Sequence, residues 1–95
     1  MKLSFSAESR RDLRAIARHG ALRFGVAQAK AYAAGIARSL KTIQTAPQIA
    51  AVKRGYSKLL RVHPVGSHLI VYEIAEDGIT VVRVLHAHQN LIDHI

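Results

Sequence analysis

The sequence predicts an α+β fold in which an N-terminal strand and an antiparallel helical hairpin pack on a small antiparallel β-sheet. Three observations predict it. Apolar residues recur at helical spacing in the first half of the chain, they alternate in the second half, and the pair Asp77–Gly78 separates the last two predicted strands. The chain has 95 residues and no internal repeat or linker, so we expect one domain spanning residues 1–95.

The N-terminal half contains a short strand followed by two helices. Residues 1–5 alternate polar and apolar side chains, as a strand with one buried face does. Ser6 is placed to cap a helix that begins at Ala7 and ends before Gly25. A second helix follows with almost no loop and ends at Pro47, and so short a connection predicts an antiparallel hairpin.

The C-terminal half is predicted to form strands. Gln48 to Lys58 has no clear period, so we predict a basic loop with room for one turn of helix. Three strands then form an antiparallel meander, which the first strand of the chain is expected to join, and the helical hairpin covers one face. The predicted strands are Leu59 to His63, ended by Pro64, His68 to Ile74, and Ile79 to His86, and Gln89 to Ile95 could form a short terminal helix.

The composition indicates a basic protein of the cytoplasm. Fourteen Lys and Arg against six Asp and Glu give a net charge of +8, which favours anionic partners such as nucleic acid or an acidic protein segment. The alternative is that the arginines only keep a small domain soluble. The absence of cysteine excludes disulfides and thiolate catalysis, and no apolar run has the length of a signal peptide core or a membrane helix. We therefore expect a cytoplasmic location and no membrane contact.

Several cations fall on the predicted strands. Arg61 and His63 share one side of their strand, and Arg83 is expected to share a side with Val81 and Leu85, on the sheet face away from the helices. Such a group of cations could bind phosphates or acidic side chains. The alternative is that they are ordinary solvated strand residues.

The six histidines raise two questions, whether they form a metal site and whether they perform acid–base chemistry. His86 and His88 would lie on one side of an extended segment, and His63 and His68 could approach each other across a turn, yet no third ligand has a fitting position. Ser67 and His68 point to opposite faces, so they form no nucleophile–base pair. We predict no metal and no cofactor, and general acid–base cleavage of RNA remains open.

Five segments taken in order resemble one protein family. They are Leu3 to Leu13, Phe24 to Tyr32, Ile43 to Pro47, and the pair of Gly66 to Tyr72 with Arg83 to His86. Their order and spacing are similar to those of the RelE/ParE superfamily, the toxins of bacterial type II toxin–antitoxin systems, and the last segments resemble its ParE-like branch. The resemblance covers essentially the whole chain.

The resemblance implies a fold, a partner and a target. It implies a toxin held inactive in a hetero-oligomer by a cognate ParD-like antitoxin, whose acidic C-terminal segment wraps the toxin and whose N-terminal domain alone binds operator DNA. ParE-type toxins poison DNA gyrase, whereas RelE-type toxins are endoribonucleases that cut messenger RNA on the ribosome. The two activities share a fold, so the fold does not choose between them.

Three departures from the RelE pattern favour the ParE branch. His68 and Leu69 stand where an arginine is expected, Ala87 to Ile95 contains no tyrosine, and His88 stands where many members carry arginine. The resemblance thus implies a gyrase inhibitor without covalent chemistry. The alternatives are a RelE-like nuclease and a basic binding module without toxic activity. Four residues are candidates for target binding, or for catalysis in a nuclease: Arg61, Arg83, His86 and His88.

The basic charge fits an acidic, amphipathic antitoxin segment lying across the helical hairpin and the sheet edge. Such a segment would bury apolar surface and neutralise arginine together, and it would stabilise a small core by mass action. The candidate antitoxin-binding residues are Leu13, Arg14, Ile16, Tyr32, Ile36 and Leu40.

Overall fold

A computed structural model describes residues 1–53 and 59–89, and it confirms the α+β class. Within these residues, neither helix has both the length and the apolar character needed to cross a bilayer. Of the terminal helix expected from Gln89 to Ile95, all but Gln89 lies outside the described residues. The elements are β1 (Leu3–Phe5), α1 (Ala7–Phe24), α2 (Val26–Thr45), a 3-10 helix (Pro47–Ile49), β2 (Ala51–Lys53), β3 (Leu60–Val65), β4 (His68–Ala75) and β5 (Gly78–His86).

The five strands form one mixed sheet in the order β1-β5-β4-β3-β2. β2, β3, β4 and β5 pair antiparallel in succession, and β1 joins the edge of β5 as its parallel neighbour, with Leu3 opposite Ile79. The expectation that the first strand joins the sheet is therefore confirmed. A parallel pair needs a long crossover connection, and the helical hairpin and three strands that separate β1 from β5 provide one.

Both predicted ends of α1 are confirmed. The Ser6 hydroxyl accepts a hydrogen bond from the Ser9 amide at 3.0 Å and donates one to the Val82 carbonyl at 2.6 Å, so the cap also ties the helix to β5. Gly25 ends α1 with φ of +91°, a conformation that costs glycine little. α2 begins at the next residue, and the two helices form the expected hairpin.

The segment predicted as a loop with room for one turn of helix is described from Gln48 to Lys53. It contains the end of the 3-10 helix, which agrees with the predicted turn, and the strand β2, which was not predicted and whose Val52 lies opposite Arg61. β2 has three residues, too few to show an alternation in the sequence. Pro64 also lies inside β3 instead of ending it. β2 pairs only with Leu60 to Val62, so Pro64 stands where β3 has no neighbour on that side, and its missing amide hydrogen costs no ladder bond.

Apolar side chains cover both faces of the sheet. The face under the helices contributes Ile70, Tyr72, Ile79, Val81 and Val84 to a cluster with Ile36 and Ile43 of α2. The opposite face carries a second cluster of Leu60, Val62, Val71 and Leu85. The face away from the helices is thus apolar over these residues. The prediction of a group of cations on this part of the face is wrong.

A β-bulge in β5 explains part of this difference. The register shifts between Val71 and Tyr72, which lie opposite Arg83 and Val81, so Val82 is the extra residue. Val81 therefore packs under the helices while Leu85 packs on the other face. Arg83 cannot share a side with both, as the even alternation of a regular strand predicted.

Candidate functional site

Among the described residues, an open groove lies between the helical hairpin and the sheet. Its volume is about 880 Å³, and alanine and larger apolar side chains dominate its lining. Five of the six candidate antitoxin-binding residues line it, whereas Arg14 is exposed elsewhere on α1. Those five are Leu13, Ile16, Tyr32, Ile36 and Leu40, and the sheet side of the groove is formed by Ser67, His68 and His86.

Tyr32 joins the helical hairpin to the β3–β4 turn at the floor of the groove. Its hydroxyl lies 2.5 Å from Nδ1 of His68, accepts from the Ser67 amide at 3.0 Å and lies 3.3 Å from the Val65 carbonyl. The single hydroxyl proton is best placed on the short contact, where it is donated to Nδ1. His68 then carries its ring proton on Nε2, and one tyrosine holds the turn through three neighbours.

His68 begins a row of three imidazoles that leads out of the groove. Its ring centroid lies 5.4 Å from that of His86, and the His86 and His88 centroids are 5.0 Å apart. Nδ1 of His86 accepts a hydrogen bond from the His88 amide at 3.2 Å, and the His86 amide donates to the Gln89 side chain at 2.6 Å. The predicted proximity of His86 and His88 is present, although a turn rather than an extended segment produces it.

Burial lowers the pKa of His68 below its usual value of 6.5, and the neighbouring charges of His86 and His19 lower it further. A neutral His68 fits its contact with Tyr32, because Nδ1 must be unprotonated to accept the hydroxyl hydrogen. The groove therefore holds a neutral imidazole at its floor near neutral pH. His63 lies opposite Ile70, two residues from the Val65 that lies opposite His68, so it is a diagonal neighbour of His68 on the same side of the sheet.

Within residues 1–53 and 59–89, no three His, Asp or Glu side chains are grouped so that they could hold a metal ion. The row of imidazoles curves around a turn instead of converging on one point. A metal ligand set would need at least three donors at about 2 Å from a common centre.

Arg61 and His63 share a side of β3 as expected, but that side faces the helices. Arg61 lies opposite the buried Tyr72 and donates to the carbonyls of Ala50 at 2.8 Å and Gln48 at 3.3 Å. Tyr72 donates to the Pro47 carbonyl at 2.5 Å, and burial raises its pKa. Arg61 and Tyr72 thus hold the segment after α2 by hydrogen bonds to its carbonyl groups. The prediction that Arg61 and His63 lie on the sheet face away from the helices is wrong, because they lie opposite Tyr72 and Ile70 of the core under the helices.

Arg83 binds a helix rather than projecting from the sheet. Its guanidinium forms a bidentate ion pair with Asp12 of α1, with Nε 2.8 Å from Oδ2 and Nη2 3.0 Å from Oδ1. The same carboxylate accepts from the Val84 amide at 2.9 Å, beyond the point where β1 ends. Hydrogen bonding to Asp12 raises the pKa of Arg83 above its already high value, so its charge is permanent.

The sequence reading missed the Asp12–Arg83 pair and the Tyr32–His68 contact. Asp12 was visible as an acid on the buried side of α1, between Ser9 and Ile16, where an unpaired carboxylate would be costly. That position alone called for a cationic partner. Nothing comparable marked Tyr32 and His68, because each fits an ordinary half-buried position and they are 36 residues apart.

Comparison with known proteins identifies the family. The fold resembles a solved structure of the chromosomal ParDE toxin–antitoxin system of P. aeruginosa, with a TM-score of 0.77, 20% sequence identity, and coverage of 90% of this chain and 95% of that chain. No curated protein sequence gives a significant match. The model of the ParE toxin family, the toxins of the type II toxin–antitoxin system parDE, matches residues 3–91, and the chain therefore belongs to the ParE toxin family.

Proposed function

We propose that this chain is a toxin that inhibits DNA gyrase in the cytoplasm by binding it, and that a cognate antitoxin neutralises it by laying an acidic, amphipathic segment in the groove. The observation that carries the proposal is the open, largely apolar groove on a member of the ParE toxin family. The toxin and antitoxin would form a hetero-oligomer. The proposal assigns the chain no covalent chemistry.

The groove has the chemistry that an amphipathic segment needs. Apolar residues line its interior, and exposed apolar side chains continue from it to the tip of the hairpin, where Leu22, Phe24 and Val26 are 82%, 55% and 61% exposed. Arg23 also lines the groove and offers positive charge to acidic side chains. An apolar stripe would bury against the interior while its acidic edge meets this arginine.

The positions of the four target-binding candidates argue against a nuclease. His86 lies opposite His68, which lies opposite Val65, and Arg61 is four residues further along β3. At about 3.3 Å per residue that places Arg61 about 13 Å from the histidine row. Arg83 is held by Asp12. A nuclease must gather its cations and its proton-transfer group around one phosphate, and these four residues do not converge on one.

Neutralisation can be tested by filling the groove. Ala33 is exposed and lines the groove, whereas its neighbour Ala34 is exposed outside the groove lining. Ala33→Trp should leave growth arrest intact and abolish rescue by the antitoxin encoded beside the toxin gene. Ala34→Trp is the matched control and should be rescued like the wild type. Rescue of Ala33→Trp at wild-type antitoxin doses would overturn the groove assignment.

Gyrase inhibition is tested separately. Induction of the chain alone should arrest growth with filamentation and an SOS response, and the purified chain should make gyrase accumulate cleaved DNA. His86 and His88 are exposed, so they are the better placed of the four candidates to touch a target. His88→Ala should weaken gyrase inhibition, while His19→Ala, an exposed histidine on α1, should not.

Arrest without an SOS response, with cut messenger RNA and a rapid fall in translation, would reject gyrase as the target. The RelE-like endoribonuclease reading would then replace it, and loss of cutting in His86→Ala or His88→Ala would identify proton-transfer groups. Normal growth despite soluble expression would leave a basic binding module without toxic activity.

A further inference from the structure

Basic and acidic residues lie in different parts of this protein. The basic residues are concentrated on the two helices. α1 contains five arginines, and α2 contains two lysines and one arginine but no acidic residue. Of the two acids on α1, Asp12 is bound to Arg83 and Glu8 lies in the first turn. The other acids of the described chain lie on β4 and the β4–β5 turn, at Glu73, Glu76 and Asp77.

Four arginines form a row on α1, here called the arginine row: Arg10, Arg11, Arg14 and Arg18. All four are exposed, and steps of three and four residues bring them to the same side of the helix. That side is opposite to the one on which Ser9 is buried and Leu13 and Ile16 face the sheet and groove. α2 carries exposed cations as well, Lys30, Arg38 and Lys41, on the side of the helix opposite to the buried Ile36 and Ile43.

The arginine row has no partner among the residues that the structure describes. None of its four guanidinium groups forms an ion pair or a hydrogen bond there. Within one rigid helix, residues four apart are separated by about 6 Å along the axis, so the charges repel one another and are held at fixed spacing. A row of this kind is stabilised by a polyanion that neutralises several charges together.

We propose that the arginine row binds the phosphate backbone of duplex DNA without reading its sequence. Arginine and lysine side chains make many of the contacts of proteins with DNA phosphates, and these contacts carry no sequence information; the row supplies four such side chains on one side of a helix. In the ParE family the antitoxin is expected to make the operator contacts, so this surface adds a DNA contact that the toxin itself makes. The proposal stands on the charge distribution alone and does not depend on gyrase being the target.

The surroundings of the row favour DNA over an acidic protein. Protein interfaces depend on apolar or aromatic anchors at their centre, whereas the exposed residues of α2 between its outer cations are alanines, such as Ala31 and Ala34. The apolar anchors of the hairpin lie on its other side, in the groove. A protein segment is therefore expected inside the groove, and a polyanion outside it.

The same surroundings favour a duplex over a single strand. Proteins that bind single strands stack bases on exposed aromatic side chains. Among the aromatic residues of the described chain, Tyr32 lines the groove, Tyr72 is buried and Phe5 packs against the core. Phe24 is exposed, but it lies at the hairpin tip with Arg23 over its ring and outside the row.

The test uses the purified full-length chain and a labelled duplex of arbitrary sequence, about 20 base pairs or two helical turns long. Fluorescence anisotropy at about 50 to 200 mM salt gives the affinity and its salt dependence. The wild type should bind in the range typical of non-specific contacts, about 10⁻⁴ to 10⁻⁶ M at physiological salt. A single strand of the same length should bind more weakly.

Three variants decide whether the row is responsible. Arg11→Gln/Arg14→Gln/Arg18→Gln should bind at least about tenfold more weakly and should lower the salt slope by about 3, one per lost phosphate contact. Lys2→Gln/Arg23→Gln/Lys53→Gln removes three exposed cations elsewhere, with the same loss of net charge, and should bind nearly as the wild type does. The corresponding Arg→Lys triple variant of the row should keep most of the affinity, because phosphate contacts require charge.

Equal losses in the two glutamine variants would overturn the proposal, since net charge rather than the row would then explain binding. So would wild-type affinity in the row variant. Arginine-dependent binding of a polyglutamate peptide, with no binding of the duplex, would identify the arginine row as a protein-binding surface instead. Thermal unfolding of each variant checks that the exposed substitutions leave the fold intact.

Discussion

Asp12 and Arg83 lie 71 residues apart and form a bidentate ion pair that joins α1 to β5 where the sheet edge is no longer covered by β1. The carboxylate also accepts a hydrogen bond from the Val84 amide. One side chain is therefore the acceptor for both a guanidinium group and a backbone amide at the sheet edge. The pair lies next to the bulge at Val82, where the ladder of β5 is irregular. It therefore fixes α1 on the edge of the sheet.

Removing Asp12 should destabilise the protein substantially. Both side chains of the pair are mostly buried, with exposures of 21% for Arg83 and 15% for Asp12, so Asp12→Ala would leave a permanent charge and the Val84 amide without their carboxylate. We expect the free energy of unfolding to fall by about 2 to 4 kcal/mol. Urea denaturation measures it. Glu76→Ala, an exposed acid on the β4–β5 turn, is the control and should change stability by less than about 0.5 kcal/mol.

Losing the Tyr32 hydroxyl should affect both stability and the His68 pKa. Tyr32→Phe removes the donor to Nδ1 of His68 and the acceptor for the Ser67 amide, which should lower the unfolding free energy by about 1 to 2 kcal/mol. The hydroxyl stabilises neutral His68, so its loss should raise the pKa of His68, measured by NMR titration. Tyr72→Phe, which removes the hydroxyl that donates to the Pro47 carbonyl, should leave the pKa of His68 unchanged.

Stability should fall in mild acid because of His68. The folded protein holds the pKa of His68 below 6.5, first through burial and then through His86 and His19, so below pH 6.5 the unfolded chain binds more protons than the folded one. The contribution of neutral His68 to the free energy of unfolding is complete above pH 6.5, and it is lost as the pH falls from there through the folded-state pKa. His68→Asn keeps an acceptor for Tyr32 and should flatten the dependence of stability on pH below pH 6.5. His88→Gln, which changes an exposed imidazole, should keep the wild-type slope; an equally flat profile there would contradict the assignment.

The sequence was informative wherever a residue acts through its own neighbours. Ser6 and Gly25 mark the ends of α1 by chemistry within one turn, and the groove lining at Leu13, Ile16 and Tyr32 follows from helical spacing. These features depend on the backbone within a few residues. Local patterns therefore predicted the fold class and most of the groove.

Local sequence patterns could not predict which side chains of the strands lie on which face of the sheet. The bulge adds one residue at Val82 and reverses which side the following residues take, and nothing in a run of valines marks the position. The three residues of β2 are held by pairing with β3 rather than by their own pattern. Arg61 and Arg83 were assigned to an open face because their partners, the Ala50 carbonyl and Asp12, are set by tertiary contacts alone.

Replacing Gly78 and Gly35 by alanine should change the stability of the protein in opposite directions, because of these two positions only Gly78 has no room for a Cβ atom. A Cβ on Gly78 would overlap the Lys2 carbonyl, which accepts the Ile79 amide at 2.8 Å, and Gly78 has φ of +150°. Gly78→Ala should therefore push β1 from the edge of β5 and lower the unfolding free energy by at least about 2 kcal/mol. A Cβ on Gly35 would meet only the flexible Arg38 side chain at 3.7 Å, and Gly35 lies inside α2. Gly35→Ala should raise stability by about 0.5 to 1 kcal/mol. Chemical denaturation of both variants against the wild type checks the two signs, and a neutral Gly78→Ala would show that β1 does not need the close approach.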